Sequence, residues 1–274
     1  MNKSLTNSEL VLARKIESNF MNSFRYMHGI DGALFWEDKT ATGFLTNYPE
    51  SYMNWVQIFN IDLQSPESDV KQVLTRYKER QCALTWYVGA HTSNPATVKE
   101  CLHAEGFTNS VERNSIGMVL DQSKFVCSTP LPELRIKEID RESSIKDFLV
   151  PFQLGFSISD VVTNLFGLYI KSRLGHSQRE NWFIGYVNDT PVSAAGYFID
   201  DGVAMIHSVA TLPAFRKHGY ARRLTEASIC AALTKSQLPV TLYAGTMGRN
   251  LYLSIGFSEV YVRENYRLQT KHKF

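Results

Sequence analysis

The feature that most constrains this chain's fold is an order of elements that occurs twice. "LTWYVG" at residues 84–89 and "VTLYAG" at 240–245 both read as strands, and each leads into a helical segment that ends in Gly-Phe, at Gly106-Phe107 and Gly256-Phe257. Each Gly-Phe opens a further strand. A period of roughly 150 residues is far too long for a solenoid repeat and points to duplicated domains. The 274 residues are long enough for two units of roughly 100 to 150 residues, each with its own core. The copies differ before the glycine: one reads "CLHAEGF" and the other "LYLSIGF", so Leu102 stands opposite Tyr252.

The text around these landmarks fills in an α/β pattern. Residues 5 to 27 carry apolar residues at helical spacing, "ALFWED" begins strand-like text, and 42–63 reads as strands or an aromatic surface loop broken by Pro49. A helix follows Pro66, a strand "CALTWYVG", a helix from about Pro95 to Glu105, and a strand near "SIGMVLD". The proline-containing stretch "CSTPLPEL" is the expected linker, giving domains at 1–128 and 129–274. The second half opens with "LRIKEID", passes through helical text near 141–152 and 157–174, and then gives three strands: "WFIGYVN", "PVSAAGYFI" and "VAMIHSVAT". Asn188-Asp189-Thr190 and Asp200-Asp201-Gly202 are the expected turns of an antiparallel meander.

Charge and composition narrow the partners. With 29 Lys+Arg against 27 Asp+Glu and no basic block, nucleic acid is not an expected partner. The most apolar run, "FSISDVVTNLFGLYI", is shorter than a membrane span and interrupted by Asp160 and Asn164. The N-terminal text lacks the apolar core of a signal peptide. A soluble, cytoplasmic protein is expected, a monomer by default with a homodimer as the alternative. Cys82, Cys101, Cys127 and Cys230 are widely spaced and suit a reducing compartment rather than zinc. The histidines and acids show no metal-ligating spacing, so no catalytic metal is expected. The aromatics Trp36, Phe44, Tyr48, Tyr52 and Trp55 read as core and interface in preference to an acceptor pocket.

The stretch "RKHGYARRLTEA", residues 216–227, follows the third meander strand and opens a helix. Alone, Arg-x-x-Gly-x-Ala is an ordinary helix start with solvated arginines. In this context Gly219 lets the backbone approach a ligand, while the free N–H groups and dipole of the first turn favour a phosphate. Arg216, Lys217, Arg222 and Arg223 add positive charge. Tyr220, Leu224, Ala227, Ser228 and Ala231 form the face expected to pack on the sheet.

The ordered set of "HSVATLP", Arg216-x-x-Gly219-x-Ala221, the helix to about Leu233, "VTLYAG" and "LYLSIGF" resembles the GCN5-related N-acetyltransferase (GNAT) superfamily. The match is good over about residues 134–268. The resemblance implies two GNAT-like (acyl-CoA N-acyltransferase) domains with mixed central sheets flanked by helices, the first a degenerate copy. It implies an enzyme moving an acetyl group from acetyl-CoA to a primary amine of a small molecule or peptide. A non-catalytic acyl-CoA binding or sensing protein is the alternative. Backbone groups of Arg216, Lys217, His218, Gly219, Tyr220 and Ala221 would hold the pyrophosphate, and Ser208, Val209, Ala210 and Thr211 the pantetheine arm. Tyr252 would protonate the leaving thiolate. Asn250 reads as a helix cap or a cofactor contact.

The base is left open by the residues. Strand alternation puts Met205, His207 and Val209 on one face and Ala204, Ile206, Ser208 and Ala210 on the other. The strand lacks the glutamate common in the family. His207, with an ordinary pKa near 6.5, stands beside Asp200, Asp201 or a water chain as a candidate.

Overall fold

The computed structural model describes residues 5–176 and 178–268. In chain order these form α1 (Asn7–Arg25), β1 (Leu34–Glu37), β2 (Ala41–Leu45), β3 (Trp55–Ile58), α2 (Pro66–Lys78), β4 (Thr85–Val88), α3 (Pro95–Ala104), β5 (Phe107–Asn109) and β6 (Ser115–Leu120). There follow β7 (Arg135–Glu138), α4 (Ile145–Phe156), α5 (Asp160–Arg173), β8 (Glu180–Val187), β9 (Thr190–Asp200) and β10 (Val203–Thr211). The chain continues through α6 (Tyr220–Lys235), β11 (Val240–Ala244), α7 (Arg249–Ile255) and β12 (Phe257–Leu268). Two compact units result: Met1–Gly117 with Ala244–Met247 and Val260–Phe274, and Met118–Tyr243 with Gly248–Glu259. Where the sequence suggested one cut at 128/129, residues 118–128 lie in the second unit and the strand from Val260 lies in the first.

In the first unit the sheet runs β1-β2-β3-β4, followed by the later part of β12. The β3–β4 pair is parallel, with α2 as its crossover, and the other neighbours are antiparallel. Helix α1 starts at a capping box, in which the Thr6 side chain accepts from the Glu9 N–H and Glu9 reaches back to the Thr6 N–H. Phe44 and Trp55 are fully buried and Trp36 is buried, so these aromatics are core; Tyr48 and Tyr52 are half-buried. The Tyr77 hydroxyl donates to the Trp55 carbonyl at 2.6 Å, which satisfies the one polar atom that ring carries inside.

In the second unit β7, β8, β9 and β10 form an antiparallel meander and β11 joins β10 in parallel, with Met118–Leu120 of β6 beside β11. The two expected turns are present. Asn188 and Asp189 have φ of 48° and 61°, and Asp201 and Gly202 have 46° and 74°, the paired positive values of tight hairpin turns whose twist matches the strands.

Helices cover both faces of this sheet. A Cβ on Gly185 would lie 2.8 Å from Leu224 of α6, whereas a Cβ on Gly155 of α4 would lie 2.9 Å from the Ala210 Cβ. Gly185 pairs with Ser193 and Ser193 with Thr211, while Ala210 pairs with Ala194. Directly paired residues share a face and neighbours along a strand do not, so α6 and α4 sit on opposite sides. The buried side of α6 runs through Tyr220, Leu224, Ser228 and Ala232 with Thr225, Glu226 and Ile229. Ala227 and Ala231, expected on that face, lie at its half-buried edge. Glu226, also on the buried side, is a fully buried carboxylate that accepts hydrogen bonds from Arg222, Arg223 and Ser128.

Candidate active site

The site begins with a break in strand pairing. Parallel pairing of β10 with β11 runs from Ala204↔Val240 to Ile206↔Leu242 and goes no further. On its other side β10 pairs regularly with β9 up to His207↔Gly196, then shifts register and resumes at Ala210↔Ala194. The intervening Ser208 has φ of 55°, the left-handed region that a serine adopts only when its surroundings hold it there. The bulge thus turns the backbone of Ser208 and Val209 out of the ladder at the point where β11 leaves. It also overturns the expected alternation. His207 and Ala210 pair with Gly196 and Ala194, two residues apart on β9, so they share the face toward α4, and Val209 does not belong with His207.

Beyond the bulge the strand end is tied down. The Ser193 hydroxyl donates to the Ala210 carbonyl at 2.7 Å and meets the Thr211 hydroxyl at 2.8 Å. Gly155 packs against Ala210 and Thr211, where a Cβ would come within 3.2 Å of the Thr211 nitrogen. The Arg216 guanidinium bonds the Thr211 carbonyl at 3.3 Å and the Gly155 carbonyl at 2.9 Å. Arg216 therefore braces strand, loop and α4. Ser193 and Gly155 escaped sequence reading; only the run of small residues "VSAAG" hinted at close approach there.

The loop then enters α6 through two left-handed residues, Lys217 at φ 66° and Gly219 at 84°. No side chain caps the helix and its first turn holds no acid. Arg223 is the first residue to bond back, to the Gly219 carbonyl at 3.1 Å, which leaves the N–H groups of Tyr220, Ala221 and Arg222 without an intrahelical acceptor. Backbone N–H groups turned together in this way form a concave anion cradle at the positive end of a helix. Lys217 and His218 are exposed beside it, and the His218 ring stacks on Tyr220 at 5.5 Å. Arg222 and Arg223 face away from that role, the first held to Ser254 and Glu226, the second to Ser128 and Glu226.

Tyr252 lies on α7 and is buried, packed edge-on to Phe257 at 6.0 Å. Burial pushes its phenol up to about 12, so the hydroxyl keeps its proton throughout the neutral range. Among the described residues its hydroxyl makes no hydrogen bond. Asn250 is the exposed second residue of α7; the cap position belongs to Gly248, with no side-chain cap, so the capping role expected of Asn250 is corrected. Burial pushes the His207 imidazole down to about 4, against a hydrogen bond with the Tyr197 backbone, and Nδ1 lies 2.9 Å from the Ser208 hydroxyl. Asp200 and Asp201 sit in the turn that starts β10, at the opposite end from the bulge, roughly 20 Å away at about 3.3 Å per residue. They cannot reach chemistry at Ser208. Among the described residues no group of three or more His, Cys, Asp and Glu could hold a metal ion, and no helix is long and apolar enough to cross a membrane.

Residues 151–257, which include the bulge, the cradle and Tyr252, match the Acetyltransferase (GNAT) family model. No curated protein matches the chain. Among solved structures it is similar to a GCN5-related N-acetyltransferase from Kribbella flavida, with a TM-score of 0.71 at 10% identity over 93% of this chain and 94% of that one. A GCN5-related N-acetyltransferase from Sphaerobacter thermophilus gives 0.63 at 12% identity, over 97% of this chain and 94% of that one. A functionally unknown conserved protein from Staphylococcus epidermidis gives 0.61 at 16% identity, covering 89% and 96%. These likenesses show the fold. The family match spans residues 151–257 and so covers most of the second unit.

Proposed function

We propose that the second unit binds acetyl-CoA at the bulge and cradle and carries its acetyl group to an amine, with Tyr252 as the proton donor. The observation that supports this most is the continuity of one backbone path: pairing lost after Ile206, a left-handed Ser208, then left-handed Lys217 and Gly219 opening an uncapped helix. An extended amide chain can pair with the freed strand backbone, and a pyrophosphate can accept from the N–H groups of Lys217 to Ala221. The fit is chemical as well as geometric, since no carboxylate stands in the first turn of α6 and Lys217 is exposed beside it. When bound, acetyl-CoA supplies an activated acyl group in a thioester.

The chain's own residues then have distinct work. Tyr252 carries a proton at neutral pH and gives it up as negative charge develops on sulfur. Thr211 and the Ser193–Arg216 bracing hold the strand end rigid, so the acyl group is presented in one geometry. His207 at about 4 is neutral and a weak base at pH 7, poorly matched to an ammonium. Its contact with Ser208 makes it a positioning residue for the bulge. The amine, small molecule or peptide, arrives neutral or loses its proton to water.

We further propose that the first unit is a degenerate copy. Its order β1-β2-β3-α2-β4-α3-β5 repeats β8-β9-β10-α6-β11-α7-β12, and in both the third and fourth strands are parallel. Calorimetric titration with acetyl-CoA tests the reading directly: one site per chain is expected, and absence of saturable binding to folded protein would overturn it.

A further inference from the structure

Outside this site the fold brings together Cys127 and Cys230. Their sulfurs lie 3.0 Å apart although 103 residues separate them in sequence. Both thiols are free, Cys127 exposed and Cys230 half-buried on α6. The contact is held by the neighbouring backbone. The Ser128 N–H donates to Glu226 at 3.1 Å and its hydroxyl at 2.7 Å, while the Arg223 guanidinium bonds the Ser128 carbonyl at 2.8 Å. Glu226 and Cys230 are one helical turn apart on α6, so pinning Ser128 on Glu226 sets Cys127 on Cys230. From there the segment runs back along α6, with Leu131 3.5 Å from the position of a Gly219 Cβ and Glu133 meeting the Tyr220 hydroxyl.

We propose that Cys127 and Cys230 are a thiol pair built to close into a disulfide by exchange with a low-molecular-weight disulfide, fastening residues 127–133 along α6. The exposed Cys127 reacts first: its sulfur, having lost its proton, attacks one sulfur of the small disulfide and one small thiol leaves. Cys230, whose thiol burial and Cys127 together push up to about 12, is the resolving partner. It gives up its proton and attacks the Cys127 sulfur, and the second small thiol leaves. Two protein thiols are oxidised, one small disulfide is reduced to two thiols, and the two protons end on those thiols. Cys82 and Cys101 are buried in the first unit and take no part.

The test treats the folded full-length chain with glutathione disulfide, then counts thiols after denaturation and maps peptides by mass. Wild type should lose half of its four thiols, lose the mass of two hydrogens, and yield one linked peptide joining 127 to 230 within a single chain. Cys230→Ser should stop at a stable glutathione adduct on Cys127, and Cys127→Ser should leave Cys230 unmodified. Wild type with no 127–230 link, whether it keeps its thiols, carries lasting glutathione adducts or joins two chains, overturns the proposal. Formation of the link in urea as fully as in the folded protein overturns it as well, since the pairing is then not built by the fold.

Discussion

Helices α2 and α6 occupy the same place in the two units, each linking a parallel pair of strands, yet their N-termini are opposites. Helix α2 opens with Pro66, which has no N–H to offer, and carries Glu67 and Asp69 in its first turn. Helix α6 opens from a left-handed Gly219 with three free N–H groups and no acid. The strands before them differ in the same sense. β3 keeps an unbroken register with β2, and β10 is broken by its bulge. At the next helix a fully buried Leu102 in α3 takes the place that Tyr252 takes in α7. The two units thus differ in a helix's first turn, one strand residue's φ and one hydroxyl, the three features on which the proposed anion site rests.

The largest effect should come from the hydroxyl. Tyr252→Phe is expected to lower kcat by about 10³-fold while leaving acetyl-CoA affinity within about twofold, because only the proton donor is lost. Steady-state rates beside calorimetry would show it; equal turnover removes Tyr252 from the chemistry. Rates should also show no fall at alkaline pH assignable to Tyr252 until about 12.

Burial of His207 beside the bulge gives the fold an acid sensitivity. Its folded pKa of about 4 lies below the ordinary value near 6.5, so as pH falls the unfolded chain binds the proton first. Its contribution is full above 6.5 and is lost as pH falls toward 4, by about 3 kcal/mol at 1.36 kcal/mol per pKa unit. Urea unfolding of wild type and His207→Asn across that window should show the variant with the shallower acid slope. Parallel slopes would mean that the imidazole is not held neutral by the fold.

Gly219→Asp should weaken acetyl-CoA binding by about 100-fold, combining a side chain in left-handed backbone with a negative charge at the cradle. Unchanged affinity would move the phosphate site elsewhere. The smallest effect is expected in α2: Glu67→Gln with Asp69→Asn should leave affinity and the single-site stoichiometry as they were, since Pro66 and the regular β3 remain. A second site appearing in that variant would show that charge alone separates the two helices.

Much of this was legible in the sequence because it depends on neighbours in the chain. Hydrophobic spacing set the helices, turn residues at 188–189 and 201–202 set the hairpins, and Gly219 marked the helix start. The repeated Gly-Phe endings predicted the matching order of elements. Tertiary structure decided what depends on partners distant in sequence. The bulge at Ser208 arises from pairing with β9 and defeats simple alternation; Arg216 bonds carbonyls of β10 and α4 instead of standing free; Glu226 is buried by gathering Arg222, Arg223 and Ser128. Phe107 and Phe257 open strands that looked the same on paper, yet β5 lies wholly in the first unit while β12 begins in the second and continues from Val260 in the first. A strand's sequence fixes which of its faces is apolar, whereas the edge it joins is chosen by hydrogen bonds and packing that exist only once the rest of the sheet has formed.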